Sequence, residues 1–122
     1  MNVPDIVYVA LGCAAGGVCR HLVSFALNPA TGFPWGTLCV NVFGSLALGL
    51  FSGWLAAGGA HAAARRAVAV VGFCGGFTTF STFSNETFRL FENGQPGLAL
   101  LYAGVSLAGG LAAVATGYWI AR

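Results

Sequence analysis

The distribution of charged residues constrains this sequence more than any other feature, because long stretches carry no charge at all. Only 7% of the 122 residues are charged, and 57% are hydrophobic. Uncharged stretches of 14, 44, 19 and 29 residues cover positions 6–19, 21–64, 67–85 and 93–121. A soluble domain carries charge on roughly a quarter of its residues, so the composition excludes one.

A membrane-spanning helix needs about 20 apolar residues, and the uncharged stretches hold several such segments. We predict four spans, at about 6–27, 36–58, 67–91 and 97–121. The expected fold is therefore a single all-α integral membrane domain, residues 1–122, embedded in the lipid of the cell membrane. The first span is expected to stay in place, because Asp5 precedes it and Arg20 lies near its far end, the wrong polarity for a removable signal peptide.

Short connections rich in turn residues separate the spans. NPATGFPW at 28–35 contains two prolines and a glycine, and its Trp35 suits a membrane interface. AAGGAHAAARR at 56–66 and ENGQPG at 92–97 make the other two connections. Because these connections are short, neighbouring helices are expected to be antiparallel.

The arginines give almost no signal for orientation. With four spans, one side of the membrane holds Arg65, Arg66 and Arg122, and the other holds Arg20 and Arg89. Orientation normally follows an excess of lysine and arginine on the cytoplasmic side. Either this weak bias suffices, or the chain inserts in both orientations, which would allow antiparallel dimers.

The second span carries a stripe of small and polar residues. Thr37, Asn41, Ser45 and Gly49 lie four positions apart and so share one helical face. Helix packing explains the glycine, since small residues let helices approach closely. Packing does not explain Asn41, whose amide is costly in lipid unless it faces a partner or water. We therefore predict that Asn41 lines a polar surface.

The third span contains VGFCGGFTTFSTFS at 71–84, which is unusual for a membrane helix. Gly75-Gly76 weakens a helix, and the Thr-Thr pair that follows can bond backbone carbonyls. Non-helical backbone at membrane depth survives only where it is buried in protein or lines a cavity. We predict a break here, with carbonyl oxygens that suit a small cation.

Beyond the predicted break, aromatic and hydroxyl residues alternate. Phe80 and Phe83 share a face, and Ser81 and Ser84 form a parallel row beside them. An aromatic packing stripe is the ordinary interpretation, but it gives no reason for the interleaved hydroxyls. A phenylalanine ring has a positive edge, so rings and hydroxyl donors together could form an anion path.

Side chains for catalysis or for metal binding are too few to predict an enzyme. Asp5, Glu86 and Glu92 are the only carboxylates, and no Ser-His-Asp or paired-carboxylate arrangement can be drawn from them. The four cysteines match no zinc-binding spacing and are expected to be buried small hydrophobes: Cys13, Cys19, Cys39 and Cys74. Nothing indicates a nucleic-acid partner.

The strings GGVCR (16–20), GTLCVNVFGS (36–45) and GFCGGFTTFSTFSNET (72–87) resemble the Fluc, or CrcB-type, family of fluoride channels. The resemblance implies an antiparallel, dual-topology homodimer with two fluoride pores. It also implies passive export: hydrogen fluoride crosses lipid as a neutral acid, ionises in a more alkaline cytoplasm, and the trapped fluoride leaves through the channel.

The resemblance also implies roles for individual residues. The pore residues and the residues beside them would be Asn41, Phe80, Phe83, Ser81, Thr82, Ser84, Glu86, Arg20, Tyr102 and Ser106. Among these, Arg20 would lie at the pore mouth, and the fourth-span residues Tyr102 and Ser106 match the family least closely. A structural sodium ion, not transported, would be bound at the dimer centre by the backbone carbonyls of Gly75 and Thr78.

Two alternatives belong to other classes. A small dual-topology exporter of cationic compounds needs an acidic residue deep in the membrane, and the only candidate, Glu86, lies toward the end of its span. A structural membrane subunit without transport predicts no ordered polar stripe.

Overall fold

The computed structural model describes residues 2–122, and every regular element in that range is helical. We number the elements in chain order as α1 (Val3–Leu27), α2 (Trp35–Leu55), α3 (62–77), α4 (Phe80–Glu92) and α5 (Pro96–Ala121). Four segments are long and apolar enough to cross a membrane: α1, α2, α5 and the 62–92 segment that joins α3 to α4. The prediction of four membrane helices is confirmed.

Proline and glycine set several helix ends. α1 ends at Leu27 because Asn28 precedes a proline and takes extended backbone, with ψ 122°. α5 begins at Pro96, where a missing backbone N–H removes no helical hydrogen bond. α2 ends at Leu55, three residues before the predicted end, and the chain then turns through Gly58 and Gly59 at φ +75° and +109°. Glycine adopts these angles without steric cost.

Close glycine contacts hold the helices together in pairs. Between α1 and α3, a Cβ on Gly16 would lie 2.8 Å from the backbone nitrogen of Phe77, and one on Gly76 would lie 2.6 Å from the carbonyl oxygen of Cys13. Between α2 and α5, a Cβ on Gly49 would lie 2.9 Å from the nitrogen of Tyr118. No larger residue fits at these positions without moving backbone, so α1 packs on α3 and α2 packs on α5.

The third span is irregular along much of its length. Within α3, a π-helical stretch, Arg66–Cys74, lies between α-helical turns at Ala62–Arg65 and Gly75–Phe77. π-Helical geometry is rare and often occurs at functional sites.

The break in the third span is confirmed, and it lies at the Thr-Thr pair rather than at the double glycine before it. Gly75 is helical, with φ −63° and ψ −39°. The extended residues are Thr78, with ψ 158°, and Thr79, with φ −152° and ψ 117°. Gly76 serves close packing against α1 rather than flexibility, and Thr79 starts the next helix because its hydroxyl accepts the Thr82 N–H at 3.2 Å.

Candidate functional site

The Asn41 side chain on α2 is hydrogen-bonded to the backbone at the break in the third span. Its side-chain Nδ2 donates to the carbonyl of Thr79 at 3.1 Å, and its Oδ1 accepts the Thr79 N–H at 2.8 Å. The amide nitrogen and the amide oxygen of Asn41 are therefore both hydrogen-bonded to the backbone of a single residue, Thr79. The polar group that the sequence identified as costly in lipid finds its partner in the backbone that the broken helix leaves free.

The other carbonyls near the break are only partly used. The Cys74 carbonyl accepts from the Thr78 N–H at 3.0 Å and from the Thr78 hydroxyl at 2.8 Å. The Gly76 carbonyl accepts from the Arg20 Nε at 3.1 Å. Among residues 2–122, no side chain donates to the carbonyls of Gly75 or Thr78. The carbonyl oxygens of Gly75 and Thr78 are thus free of side-chain donors within the described part of the chain.

A cavity of about 220 Å³ lies beside the break, and we call it the phenylalanine cavity. Its lining consists of Asn41, Ser45, Thr78, Thr79, Phe80, Phe83, Ser106 and Leu107. The rings of Phe80 and Phe83 lie 5.9 Å apart at a 46° tilt. The lining has no charged side chain.

Ser106 on α5 contributes an unused polar group to this cavity. Its Oγ is buried and has no hydrogen-bond partner among the described residues. Buried polar atoms are almost always paired, because an unmade hydrogen bond costs about 1–3 kcal/mol. Ser106 therefore brings a hydroxyl without a partner to the wall of the phenylalanine cavity.

Glu86 lies at the centre of a second polar group, which we call the glutamate cluster: Glu86, Thr37, Asn28 and Tyr102. The Thr37 hydroxyl donates to Glu86 Oε1 at 2.8 Å, Asn28 Nδ2 to the same oxygen at 3.4 Å, and the Tyr102 hydroxyl to Oε2 at 2.8 Å. Thr37 and Tyr102 are fully buried. Donors from α2, α5 and the end of α1 therefore hold one carboxylate of α4.

Tyr102 connects the glutamate cluster to the phenylalanine cavity. Its ring centroid lies 5.2 Å from that of Phe83 and 5.4 Å from that of Phe33, while its hydroxyl is held by Glu86. The side chain is wholly buried. The position of the Phe83 ring is consequently coupled to the hydrogen bonds of Glu86 through one rigid aromatic residue.

The structure brings some of the predicted site residues together and leaves others apart. Asn41, Phe80, Phe83 and Ser106 share the phenylalanine cavity. Glu86 and Tyr102 form the glutamate cluster beside it, and Arg20 reaches the carbonyl of Gly76 at the break.

The predicted hydroxyl row lies outside the cavity lining. Ser81 and Ser84 are exposed, and the Ser84 hydroxyl donates back to the Phe80 carbonyl at 2.9 Å. Thr82 is half-buried, and its backbone N–H is bonded to Thr79. None of these three residues belongs to the lining of the phenylalanine cavity.

Sequence reasoning missed the role of Asn28. Its Oδ1 accepts the Thr37 N–H at 3.1 Å, and its Nδ2 donates to the Thr37 hydroxyl at 3.1 Å and to Glu86. A Cβ on Gly36 would lie 2.8 Å from the Asn28 Oδ1, so the glycine leaves room for this side chain. The Asn-Pro step predicted a turn, and no local signal indicated a partner 58 residues further along the chain.

These features define a class of protein: a multi-pass helical membrane protein with a broken helix and an uncharged aromatic cavity. A buried network of hydrogen bonds to one carboxylate lies next to that cavity. Comparison with known proteins identifies the group within that class. The sequence profile of the CrcB-like protein family (Camphor Resistance, CrcB) matches residues 7–118. The chain belongs to this family.

Similar proteins span almost the whole chain. A fluoride-specific ion channel FluC of Hyphomonas neptunium is 48% identical over 118 residues, which are 93% of this chain and 92% of the relative. The protein of the same name from Nitrobacter winogradskyi is 44% identical, over 96% of this chain and 94% of its own. That of Sphingopyxis alaskensis is 47% identical, over 93% and 92%.

Proposed function

We propose that this protein is a passive fluoride channel, and that the phenylalanine cavity is part of its ion path. The observation that carries the proposal is the unpaired Ser106 hydroxyl in an uncharged cavity wall beside Phe80 and Phe83. A hydroxyl donor and the positive edges of aromatic rings stabilise an anion without binding it as tightly as a full positive charge would. The similar proteins are named fluoride-specific ion channels, which supports the same ion.

Selectivity for fluoride over chloride follows from the kind of lining. A passage with few fixed charges must replace the water around an ion by close donors. The smaller anion approaches those donors more closely, and Coulomb energy rises as the distance falls. Export follows from acid–base chemistry, because fluoride trapped in an alkaline cytoplasm runs outward through a passive pore, helped by a negative interior.

Substitution of the unpaired hydroxyl tests this proposal. Ser106→Ala removes no hydrogen bond of the folded chain, so the protein should fold normally. Fluoride efflux from liposomes should fall at least about tenfold, since one hydrogen bond to a charged partner is worth about 1.5–3 kcal/mol. Ser52→Ala, on α2 and outside the cavity lining, is the control and should transport like wild type. Wild-type flux through Ser106→Ala would contradict the assigned path.

We also propose that the protein works as an antiparallel homodimer inserted in both orientations. The support is the outer face of α4, where Ser81, Ser84 and Asn85 are exposed in a single chain. Exposed polar groups are costly in lipid, and a second copy would cover them. A two-fold axis in the membrane plane agrees with the near-balance of arginines between the two sides.

The same axis would bring together the carbonyls of Gly75 and Thr78 from both copies. Those oxygens have no side-chain donor within the chain, and four such hard ligands suit a sodium ion. The described residues hold no group of three His, Cys, Asp or Glu side chains that could bind a metal, so a cation here would rely on carbonyls. The ion would be structural, and its charge would favour anions nearby.

Gly75 provides the test of both assembly proposals. A Cβ at Gly75 would meet nothing within 4 Å in the single chain, so we expect damage from Gly75→Leu that the matched control lacks to come from a second copy. We expect Gly75→Leu to shift the purified protein from dimer to monomer by light scattering, and to abolish flux. Gly104→Leu on α5, also free of contacts within 4 Å, is the matched control.

A Gly75→Leu protein that stays dimeric and active would contradict the dimer axis. The sodium proposal has its own test, because exchange of sodium for a large organic cation over days should reduce wild-type flux. Unchanged flux after complete exchange would contradict a structural sodium ion.

A further inference from the structure

A second cavity, of about 230 Å³, lies at the other end of α4, and we call it the loop cavity. Its lining joins the connection between α1 and α2 to the last turns of α4: Asn28, Pro29, Ala30, Thr31, Gly32, Pro34, Glu86, Arg89, Leu90 and Asn93. Since a water molecule takes about 30 Å³ of liquid volume, the loop cavity has room for several waters. It is large and polar enough to hold a hydrated ion.

The loop cavity and the phenylalanine cavity lie along one face of α4. Phe80 and Phe83 line the first, and Glu86 and Leu90 line the second. Residues three or four apart share a helical face. At 1.5 Å per residue, the stretch from Phe80 to Asn93 spans roughly 20 Å, a large part of a hydrocarbon core about 30 Å thick.

A thin layer of side chains separates the two cavities. Phe83 on one side packs on Tyr102 at 5.2 Å, and Tyr102 donates to Glu86, which lines the other side. The layer is held by the hydrogen bonds of the glutamate cluster. An ion that leaves the phenylalanine cavity along α4 therefore meets the loop cavity next.

The charges in the loop cavity are one arginine and one carboxylate. The hydrogen bonds to Glu86 come from Thr37, Asn28 and Tyr102, and none comes from Arg89. The carboxylate is therefore already stabilised by neutral donors, while the Arg89 guanidinium, exposed at the end of α4, keeps its five donors for solvent or an ion. Arginine stays charged at any physiological pH.

We propose that the loop cavity is an aqueous vestibule for small monovalent anions, and that Arg89 raises the local fluoride concentration within it. This inference rests on the proposed function, and it identifies the loop cavity as a second entrance to the ion path. Arg89 acts as a charge that attracts anions rather than as a tight ligand. Such an effect depends on charge and ionic strength, because the Debye length falls from about 30 Å at 0.01 M to about 3 Å at 1 M.

Flux measurements at two ionic strengths test the vestibule. Fluoride efflux is measured at subsaturating fluoride in liposomes, in low and in high concentrations of a salt whose ions do not permeate. At low ionic strength we expect Arg89→Gln to transport about three- to tenfold more slowly than wild type, because one charge supplies at most the lower end of the range of electrostatic steering. Arg89→Glu should be slower still, and Arg89→Lys close to wild type.

The comparison of two ionic strengths distinguishes electrostatic attraction of fluoride by Arg89 from a structural role of this residue. At high ionic strength the difference between Arg89→Gln and wild type should shrink to less than about twofold, because screening removes attraction at a distance. Arg122→Gln, which removes the same charge at the end of α5, is the matched control and should follow wild type at both ionic strengths.

Each outcome of this experiment decides the proposal. Equal flux through wild type and Arg89→Gln at low ionic strength overturns the vestibule and leaves the fluoride channel intact. Equal loss in Arg89→Gln and Arg89→Lys at both ionic strengths also overturns it, because that pattern belongs to a structural arginine. A wild-type protein without fluoride flux overturns the proposed function and the vestibule together.

Discussion

Replacing Asn41 by leucine should loosen the break in the third span and stop transport. Leucine keeps a similar volume but pairs with neither polar group of Thr79, which Asn41 holds at 3.1 Å and 2.8 Å. The loss leaves one N–H and one C=O without partners in a half-buried site, at about 1–3 kcal/mol each. We expect about 2–4 kcal/mol of destabilisation, after some relaxation of the backbone.

Two variants separate this structural effect from an effect of charge. Asn41→Asp keeps the oxygen that accepts the Thr79 N–H, but sets a second, anionic oxygen against the Thr79 carbonyl. It should lose both stability and flux. Ser45→Ala, one turn along the same face of α2 and in the same cavity lining, is the control and should change the stability by less than about 0.5 kcal/mol.

The assay combines thermal unfolding in detergent with fluoride efflux from liposomes. Asn41→Leu should lower the unfolding midpoint clearly and reduce flux at least tenfold, while Ser45→Ala keeps the wild-type midpoint. If Asn41→Leu unfolds at the wild-type temperature and conducts fluoride normally, Asn41 does not hold the break, and this account of the third span is wrong.

Three further substitutions follow from single contacts, and Gly17→Ala is the control for the third. Tyr102→Phe removes the hydroxyl bonded to Glu86 at 2.8 Å and should cost about 1.5–3 kcal/mol in unfolding experiments; an unchanged midpoint would argue against the glutamate cluster. Phe83→Ile keeps apolar bulk but removes the ring edge, so efflux should drop sharply while the protein stays folded. Gly16→Ala forces a Cβ to 2.8 Å from the Phe77 nitrogen and should destabilise by about 1–3 kcal/mol. Gly17→Ala, which meets nothing within 4 Å, should be neutral or slightly stabilising.

Sequence alone was sufficient to predict the four spans, because the cost of charge in lipid leaves long stretches of the sequence without charged residues. It also indicated the importance of Asn41, because a side-chain amide in an apolar membrane helix needs a hydrogen-bond partner. The identity of that partner, the backbone of Thr79, depends on how α2 packs beside the third span. No pattern local to Asn41 contains that information.

The position of the break shows why glycine is ambiguous in a sequence. Gly75-Gly76 can mark flexibility or close packing, and here Gly76 lies against the backbone of Cys13 on α1. The Thr-Thr pair after it supplies the cap that starts α4. The π-helical stretch Arg66–Cys74 had no sequence signal that we recognised.

The glutamate cluster was only partly predictable. Thr37 was noted for its place in a polar stripe, and Glu86 and Tyr102 came from the family resemblance. Their meeting depends on Asn28, a loop residue that joins the end of α1 to the start of α2 and to α4. Contacts between distant segments of this kind require the packed structure.

The central claim is that the protein conducts fluoride passively and excludes chloride. The direct measurement is efflux of both ions from liposomes that contain purified wild-type protein and a potassium gradient, before and after addition of valinomycin. We expect fluoride efflux that needs the ionophore, because a passive pore moves net charge, together with negligible chloride efflux. Chloride efflux as fast as that of fluoride, or fluoride efflux of equal rate without valinomycin, would contradict it.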